Sequence, residues 1–408
     1  YRDRAFVTLG VRVDGSSAFG KSFGLQVYPK ISASYVMSDE NFWRKSWGEL
    51  KVRAALGAAG RAPGAFDAVR TWNPVGWGSN PALFPQNVGN PDLGPERTLE
   101  TEFGFDWSVL GGDVSTGFTA YHGRTTSALF PVQSVPSTGF QSSQLRNVGT
   151  TDNQGMEASV NWRVLNRKRV AWAVGASLAT NHSMVVSLGG AAPVNMGNGG
   201  WLIQGRPLFV IQGVKLLNPD AVADPQVQTG YIFGPNNPTK ILGFNTSLEF
   251  PGKITLSARG EFQGGHYMQD FATSDAASRN VVSWPTCLAF KSLKDGGNYS
   301  KTTAFQRLRC DSKFYQSLIF MERADFFKLR DITARIPIPF RIPGGVTSAT
   351  LSLSLHNWYR WVNSEFPIYD PEVSNDTGGE PAAQKVRATG GGTIPPPRSF
   401  TASVRLVF

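Results

Sequence analysis

"RSFTASVRLVF", residues 398–408, alternates between apolar and polar side chains up to the last residue of the sequence. An extended strand places such alternating residues on opposite faces. The apolar face comprises Phe400, Ala402, Val404, Leu406 and Phe408, and the polar face comprises Thr401, Ser403 and Arg405. Terminal segments usually fray in water, so we expect this strand to belong to a larger sheet with one face against an apolar environment.

The same alternation recurs along the whole sequence and predicts about twelve strands in all. The other segments lie near residues 7–14, 25–36, 50–57, 99–107, 114–121, 156–164, 170–180, 241–250, 254–262, 326–339 and 349–355. Many run roughly nine to twelve residues, whereas strands of globular proteins average about five or six and tilted membrane strands need about nine to eleven. The alternation slips phase at Arg330 and Asp331, which predicts a β-bulge there.

The connections between these segments come in two sizes that alternate along the chain. Short turns are expected at residues 109–113, 165–169, 249–253 and 336–345, with a somewhat longer one at 38–48. Long loops are expected at residues 58–96, 125–153, 182–238, 264–323 and 358–397. A bacterial outer-membrane barrel has short periplasmic turns and long extracellular loops, whereas a soluble sandwich or propeller, the alternative for alternating strands, predicts no such asymmetry. The sequence therefore predicts an all-β, transmembrane, antiparallel β-barrel.

The composition agrees with this class and argues against others. Charged residues make up 17% of the chain, below the typical value of about 25%, while aromatic residues make up 12%. The net charge of +10 comes from cations scattered singly through the alternating segments, so nucleic acid is not an expected partner. No apolar run approaches the ~18 residues that a membrane helix needs.

A set of motifs follows in order along nearly all of the sequence. They are "GVRVDGSSAFG" (10–20), "LKVRAALGAAG" (50–60), "NPDLGPERTLETEFGFD" (90–106), "NQGMEASVN" (153–161), "FFKLRDITARIPIP" (326–339), "LHNWYRW" (355–361), "YDPEVS" (369–374) and "PPPRSFTASVRLVF" (395–408). In order and spacing they resemble the C-terminal barrel region of SusC/RagA-type TonB-dependent outer-membrane transporters. The resemblance implies a 22-stranded barrel around a plug, the size class of plugged barrels. We therefore expect residues 1–408 to be the C-terminal part of the barrel, without the plug domain and the N-terminal extension.

The resemblance also implies a function and partners. The whole protein would import a bulky nutrient, such as a glycan or a peptide, across the cell outer membrane. It would work with a SusD-like surface lipoprotein and, through the missing N-terminal part, with the TonB–ExbB–ExbD complex, while its outer surface contacts outer-membrane lipid. The alternative is a non-energised porin or adhesin on the same barrel, because a fold does not settle a function.

Aromatic side chains in the predicted long loops are the candidate substrate-binding residues, because flat rings can stack on sugar or peptide faces. They are Trp72, Trp77, Phe84, Trp201, Phe209, Trp358, Trp361 and Tyr369. Tryptophan and tyrosine also mark the interface belt of membrane proteins or pack loops together, and this alternative stays open.

No catalytic residues, metal ligands or cofactor site are expected, so the sequence predicts no enzyme. The four histidines stand far apart without a partner motif, and the glycine-rich run at 197–201 lacks the pattern of a phosphate-binding loop. Asp370, Glu372 and Asp376 lack the order of a calcium-binding loop, which favours a plain acidic loop. Cys287 and Cys310 are the two cysteines, and they form either a disulfide in an oxidising compartment or two unrelated thiols.

Overall fold

The computed structural model describes a large sheet with smaller elements attached to one side of it. The described residues are 1–20, 24–78, 80–134, 137, 139–140, 143–278, 284–314, 316, 318–339, 345–364, 370–373, 375–376, 387–389 and 394–408. Within these ranges, no helix is both long and apolar enough to cross a membrane.

Strands dominate the described chain. In chain order they are β1 (Ala5–Asp14), β2 (Gln26–Val36), β3 (Glu49–Arg61), β4 (Thr71–Trp77), β5 (Asn80–Asn87), β6 (Glu96–Val109), β7 (Val114–Gln133), β8 (Ser143–Arg167), β9 (Val170–Ser187), β10 (Val194–Gly197), β11 (Gly200–Leu202), β12 (Val210–Leu216), β13 (Val227–Pro235), β14 (Lys240–Phe250), β15 (Ile254–Gly264), β16 (Tyr267–Asp270), β17 (Met321–Arg323), β18 (Phe326–Pro337), β19 (Ser348–Val362), β20 (Asn375–Asp376), β21 (Arg387–Thr389) and β22 (Ser399–Val407). The α-helices are α1 (Phe271–Ser278), α2 (Pro285–Asp295) and α3 (Ala304–Cys310).

Twelve of these strands form one sheet in the order β1-β2-β3-β6-β7-β8-β9-β14-β15-β18-β19-β22. Every neighbouring pair is antiparallel, and each strand pairs with the next one that the sequence pattern predicts. The predicted fold class is confirmed, because about twelve strands were expected in this antiparallel arrangement. β1 and β22 are the two edges of the sheet.

The short turns lie where the sequence places them. β6 and β7 are joined through a single 3-10 turn at Leu110–Gly112, and β14 and β15 through another at Pro251–Lys253. Each turn contains a glycine with a positive φ, 65° at Gly111 and 77° at Gly252, a conformation that costs other residues more. Only residues 168–169 separate β8 from β9. These turns therefore lie at the end of the sheet opposite the long loops, while residues 340–344 of the turn predicted at 336–345 lie outside the described residues.

The long loop predicted between β7 and β8 is wrong. Residues 125–153 were expected to be irregular, but β7 runs 20 residues and β8 runs 25, so the two strands continue as a ribbon beyond the rest of the sheet. Their pairing extends from Val114 with Trp162 to Gln133 with Ser143. The sequence hid this extension because it shows no period of two there, although Ala128 and Phe130 of β7 pack in a buried core formed with the loops.

The two faces of the twelve-stranded sheet differ in chemistry from edge to edge. Cross-strand register places Tyr35, Val52, Phe105, Phe118, Ala158, Leu178, Leu242, Phe262, Phe327 and Trp361 in one apolar row. The opposite face carries charged and polar side chains, including Lys51, Asp106, Ser159, Glu261 and Lys328. Lipid outside and water inside produce this contrast in a membrane barrel, so we call the apolar face outward and the polar face inward.

The predicted β-bulge is present. Arg259 pairs with Asp331 and Gly260 with Leu329, so Arg330 is an extra residue on β18. This extra residue shifts the alternation by one position and keeps Leu329 and Ile332 on the outward face.

The long connections fold into a module beside the sheet. β10–β13 form a four-stranded sheet, and β17-β16-β21-β20 form another. Their core comprises Ala128, Phe130, Val185, Leu188, Leu202, Phe209, Ile211 and Met321. Nearby, Cys287 on α2 and Cys310 on α3 are joined in a disulfide with a Cα–Cα distance of 5.2 Å.

The two faces of β19 give a direct test of this architecture. Leu353 lies on the outward face between Ala334 and Ala402, and Ser352 lies on the inward face between Arg335 and Ser403. We expect Leu353→Arg to reduce the free energy of unfolding by about 2–4 kcal/mol, because it exposes a cation to hydrocarbon near the midplane, and Ser352→Arg to cost little. Refolding of the full-length protein into lipid vesicles at graded urea concentrations measures both, and equal costs would contradict the assigned faces.

The disulfide gives a second test. We expect peptides that contain Cys287 and Cys310 to be linked in mass spectra of the native protein without reductant. Substitution of both by serine should lower the free energy of unfolding of the loop module by about 2–4 kcal/mol, because the crosslink restricts the unfolded chain. Two freely alkylated cysteines in intact membranes would contradict the pairing.

Candidate substrate vestibule

The inward face of the sheet is a polar wall. Its central strands carry Lys30 on β2, Glu100 and Glu102 on β6, and Glu157 on β8. These side chains stand on alternate positions of strands whose other positions face outward, which is why the sequence shows them between apolar residues. Such a wall suits the water-filled or plug-filled interior of a large barrel.

A network of ion pairs ties this wall to the loop between β19 and β22. We call it the wall–loop network, and it comprises Glu261, Lys328, Arg330, Arg360, Asp370 and Glu372. Lys328 Nζ lies 2.6 Å from Asp370 Oδ2 and also contacts Glu372 Oε2. Arg330 Nη2 lies 2.5 Å from Glu372 Oε1 and 2.9 Å from Glu261 Oε1, and Arg360 Nη1 lies 3.4 Å from Asp370 Oδ2. Three cations thus meet three carboxylates.

Burial makes this network matter more for stability than surface ion pairs do. Lys328 and Asp370 are each only 2% exposed. A buried charge is tolerated when its partners compensate for lost hydration, and removal of one partner leaves the others uncompensated. The network therefore anchors residues 370–373 to the inward face of β18 and β19.

The pKa of Glu372 reflects the same contacts. Burial works to raise the pKa of this carboxyl group, but hydrogen bonds from Arg330 and Lys328 outweigh that effect and hold the pKa below its ordinary value of 4.5. The carboxylate form is thus favoured, and its contribution to stability is present above pH 4.5 and is lost as the pH falls through the lowered value.

A second cluster of charged and polar side chains lies on the inward face next to the bulge. Asp331 Oδ2 accepts a hydrogen bond from Arg259 Nη2 at 2.5 Å, and its Oδ1 lies 2.7 Å from His356 Nδ1. The two clusters extend across three neighbouring strands, β15, β18 and β19. They give this part of the wall a dense set of fixed donors and acceptors.

The predicted aromatic residues do not converge on one site. Trp72 and Phe84 lie in the β4–β5 hairpin, where Trp72 pairs with Pro85 and Phe84 with Asn73. Neighbouring register positions point to opposite faces of a ribbon, so these two exposed rings form separate surfaces. The Trp72 ring also packs against Phe140 at 5.6 Å. Trp77 ends β4, and its side chain lies outside the described part of the structure.

A second pair lies in the loop module. Trp201 is on β11 opposite Val210 and is half-buried. Phe209 is 3% exposed and belongs to the module core, so its ring faces are not available to a ligand. The prediction that Phe209 stacks on substrate is thus corrected, because its ring packs in the core between the loops.

Two of the remaining three aromatics belong to a strand and not to a loop. Trp358 and Trp361 both lie within β19, which is a correction to the predicted start of the loop at residue 358. Trp361 lies in the outward row and stacks on Phe262 at 6.4 Å, as residues of a membrane interface belt do. The guanidinium of Arg398 lies over the ring of Trp358, 5.9 Å from the centre of that ring. Tyr369 lies outside the described residues.

The wall–loop network is the feature that sequence reasoning missed. Asp370 and Glu372 were interpreted as an acidic loop, but the structure pairs them with Lys328 and Arg330. The signal was present in the spacing of the two cations, since residues two positions apart on a strand, such as Lys328 and Arg330, share one face. Nothing in the sequence indicates which loop supplies the counter-charges.

Lys328 provides the test of this network. We expect Lys328→Met to lower the free energy of unfolding by about 3 kcal/mol, because the buried Asp370 loses its nearest cation. The matched control is Arg12→Met, whose side chain is 77% exposed and pairs with Asp14 at 2.7 Å, and which should cost about 0–1 kcal/mol. Urea titration of the full-length protein in vesicles measures both variants, and similar costs would show that the network adds no stability.

Comparisons of the sequence and of the structure with known proteins both support the barrel. The family model described as TonB dependent receptor-like, beta-barrel matches residues 2–212. TonB-dependent receptor P26 of Formosa agariphila is 26% identical over the whole chain, which covers 45% of that protein. TonB-dependent receptor SusC of Bacteroides thetaiotaomicron is 26% identical over 46% of the chain and 20% of its own length.

The solved structures agree with the sequence relatives. The structure of the RagAB peptide transporter superimposes with a TM-score of 0.73 at 17% identity, over 99% of this chain and 46% of that one. The chain thus spans about half the length of the relatives that it matches along its whole extent. It belongs to the TonB-dependent receptor family, as part of the outer-membrane β-barrel of a SusC/RagA-type member.

Proposed function

We propose that the whole protein imports a bulky nutrient, a glycan or a peptide, across the outer membrane with energy supplied through TonB. Membership of the TonB-dependent receptor family is the observation that carries this proposal. The chain takes part in transport and not in catalysis, since its family consists of receptors and transporters.

The described sheet is one wall of a larger barrel in this proposal. Its edge strands β1 and β22 pair with no strand on their outer sides among the described residues. An open edge cannot persist in hydrocarbon, because its backbone N–H and C=O groups find no partners there. In this proposal further strands of the protein close the ring, and the resemblance to SusC/RagA-type transporters implies 22 strands around a plug, with residues 1–408 as the C-terminal part.

The inward wall and the loops suit a large polar substrate. The dense charge clusters on β15, β18 and β19 offer fixed hydrogen-bonding groups at the extracellular half of the lumen. Trp72 and Phe84 present exposed rings on a hairpin in the loop region, where stacking on sugar or peptide faces adds affinity. The RagAB structure is described as that of a peptide transporter, which favours peptide as one of the two substrate classes.

Two partners follow from the same proposal. A SusD-like surface lipoprotein covers the extracellular mouth and delivers the substrate. The TonB–ExbB–ExbD complex contacts the N-terminal part of the protein from the periplasm. The second candidate function, a passive porin or an adhesin on the same barrel, would need neither partner.

Uptake by cells tests this proposal. We expect cells that carry the full-length gene to accumulate fluorescently labelled oligosaccharide or oligopeptide, and we expect loss of TonB to abolish that uptake. Deletion of the gene for the partner lipoprotein should reduce uptake at low substrate concentration. Uptake that continues without TonB would establish a porin, and surface attachment without any uptake would establish an adhesin.

A further inference from the structure

A short segment of the loop between β19 and β22 lies against the inward wall. We call it the strap, and it comprises Asp370, Pro371, Glu372 and Val373. The amide of Glu372 donates a hydrogen bond to Asp370 Oδ1 at 3.1 Å, and the amide of Val373 donates one to the carbonyl oxygen of Asp370 at 3.0 Å. These bonds close a turn within the strap. Both strap carboxylates contact Lys328, so the turn presents them to the wall together.

The strap is attached to the wall through its two carboxylates. Among the described residues, every hydrogen bond and ion pair between the strap and β18 or β19 ends on the side chain of Asp370 or Glu372. The strap backbone forms no hydrogen bond with either strand within this part of the chain. Another segment with two carboxylates at the same spacing can therefore make the same contacts.

The charges of the wall match a ligand with two carboxylates. Without the strap, this part of the wall would keep one carboxylate, that of Glu261. It would also keep three cations, which are Lys328, Arg330 and Arg360. Lys328 is only 2% exposed, so departure of the strap alone would leave a buried cation uncompensated. Exchange of the strap for another pair of carboxylates keeps the cations compensated in both states and costs less free energy.

The three cations lie where a substrate enters the lumen. β18 begins at Phe326 after one long connection, and β19 ends at Val362 before another. The cations stand close to these two strand ends, on the side of the wall that the strap covers. They therefore lie near the extracellular mouth of the lumen.

We propose that these cations form a binding site for acidic peptides, and that the strap occupies the site as an internal mimic until such a peptide displaces it. The occupant is itself a peptide with carboxylates on either side of Pro371, which favours an acidic peptide over an acidic glycan. Arginine and lysine form strong, charge-assisted hydrogen bonds with carboxylates. This inference rests on the proposed import function, for which it selects peptide as the substrate class.

Displacement of the strap can be measured in the full-length protein in phosphatidylcholine nanodiscs with a spin label at Val373→Cys. The two native cysteines are joined to each other, so the label attaches at this position alone. The probe is an end-capped heptapeptide, Ala-Ala-Asp-Pro-Glu-Ala-Ala, and the matched control peptide carries Asn and Gln in place of Asp and Glu. We expect the acidic peptide to increase the mobility of the label and the neutral peptide to leave it unchanged. A label whose mobility stays constant up to the solubility limit of the acidic peptide would overturn the proposal.

Affinity for the same peptide gives a second measurement. Asp370→Asn with Glu372→Gln should bind the acidic peptide at least about 10-fold more tightly than the unsubstituted protein, because occupancy by the strap lowers the apparent affinity of the site. The control variant Asp220→Asn with Asp295→Asn removes the same charge from exposed loop positions and should leave the affinity unchanged. An equal gain in both variants would indicate general charge attraction and overturn the proposal. The spin-label measurement keeps the native network and decides the proposal even if the strap variant fails to fold.

An oligogalacturonate is the third probe, because it presents carboxylates on a glycan. Tighter binding of this glycan than of the acidic peptide would overturn the assignment to peptides. The binding measurements need no TonB, so displacement of the strap without TonB-dependent uptake would contradict the proposed function alone. TonB-dependent uptake of peptides without displacement of the strap would overturn this inference alone.

Discussion

Backbone hydrogen bonding across strand pairs is the constraint on which the rest of the structure depends. Hydrocarbon offers no partner to an N–H or C=O group, so each strand in the membrane must pair along its whole length. The described sheet meets this demand with antiparallel pairing between all neighbouring strands from β1 to β22, apart from a few local register shifts. Register in turn fixes which side chains face outward, because a shift of one residue would exchange the two faces.

The bulge at Arg330 is a local departure from that register, and it lies within the wall–loop network. The extra residue keeps the outward row apolar, while Lys328 and Arg330, two positions apart on the strand, both contact carboxylates on the inward side. Their charge needs compensation, and Asp370 and Glu372 provide it from a distant loop. The network thus couples the conformation of an extracellular connection to the wall of the lumen.

The sequence predicts the membrane part of the fold well, because lipid outside and polar surroundings inside impose a period of two. It also predicts the bulge, since Asp331 falls out of phase with the residues before Arg330. The extension of β7 and β8 was missed because its sequence does not alternate, and the burial of Ala128 and Phe130 there depends on tertiary contacts with the loops. The wall–loop network was harder to predict, because a loop contact such as that of Lys328 with Asp370 depends on tertiary structure and leaves no periodic signal in the sequence. The burial of Phe209 was missed for the same reason, since the sequence does not distinguish an exposed ring from a core ring.

The central claim is that alternate residues of one strand meet lipid and lumen. Spin labels placed singly along residues 349–355 of β19 in the full-length protein, reconstituted in vesicles, test it most directly. The structure predicts that collision with oxygen, which dissolves in lipid, is strongest at Leu351, Leu353 and Leu355, and that collision with a water-soluble nickel chelate dominates at Ser352 and Ser354. Collision rates without a period of two would contradict the assignment of β19 to a membrane barrel.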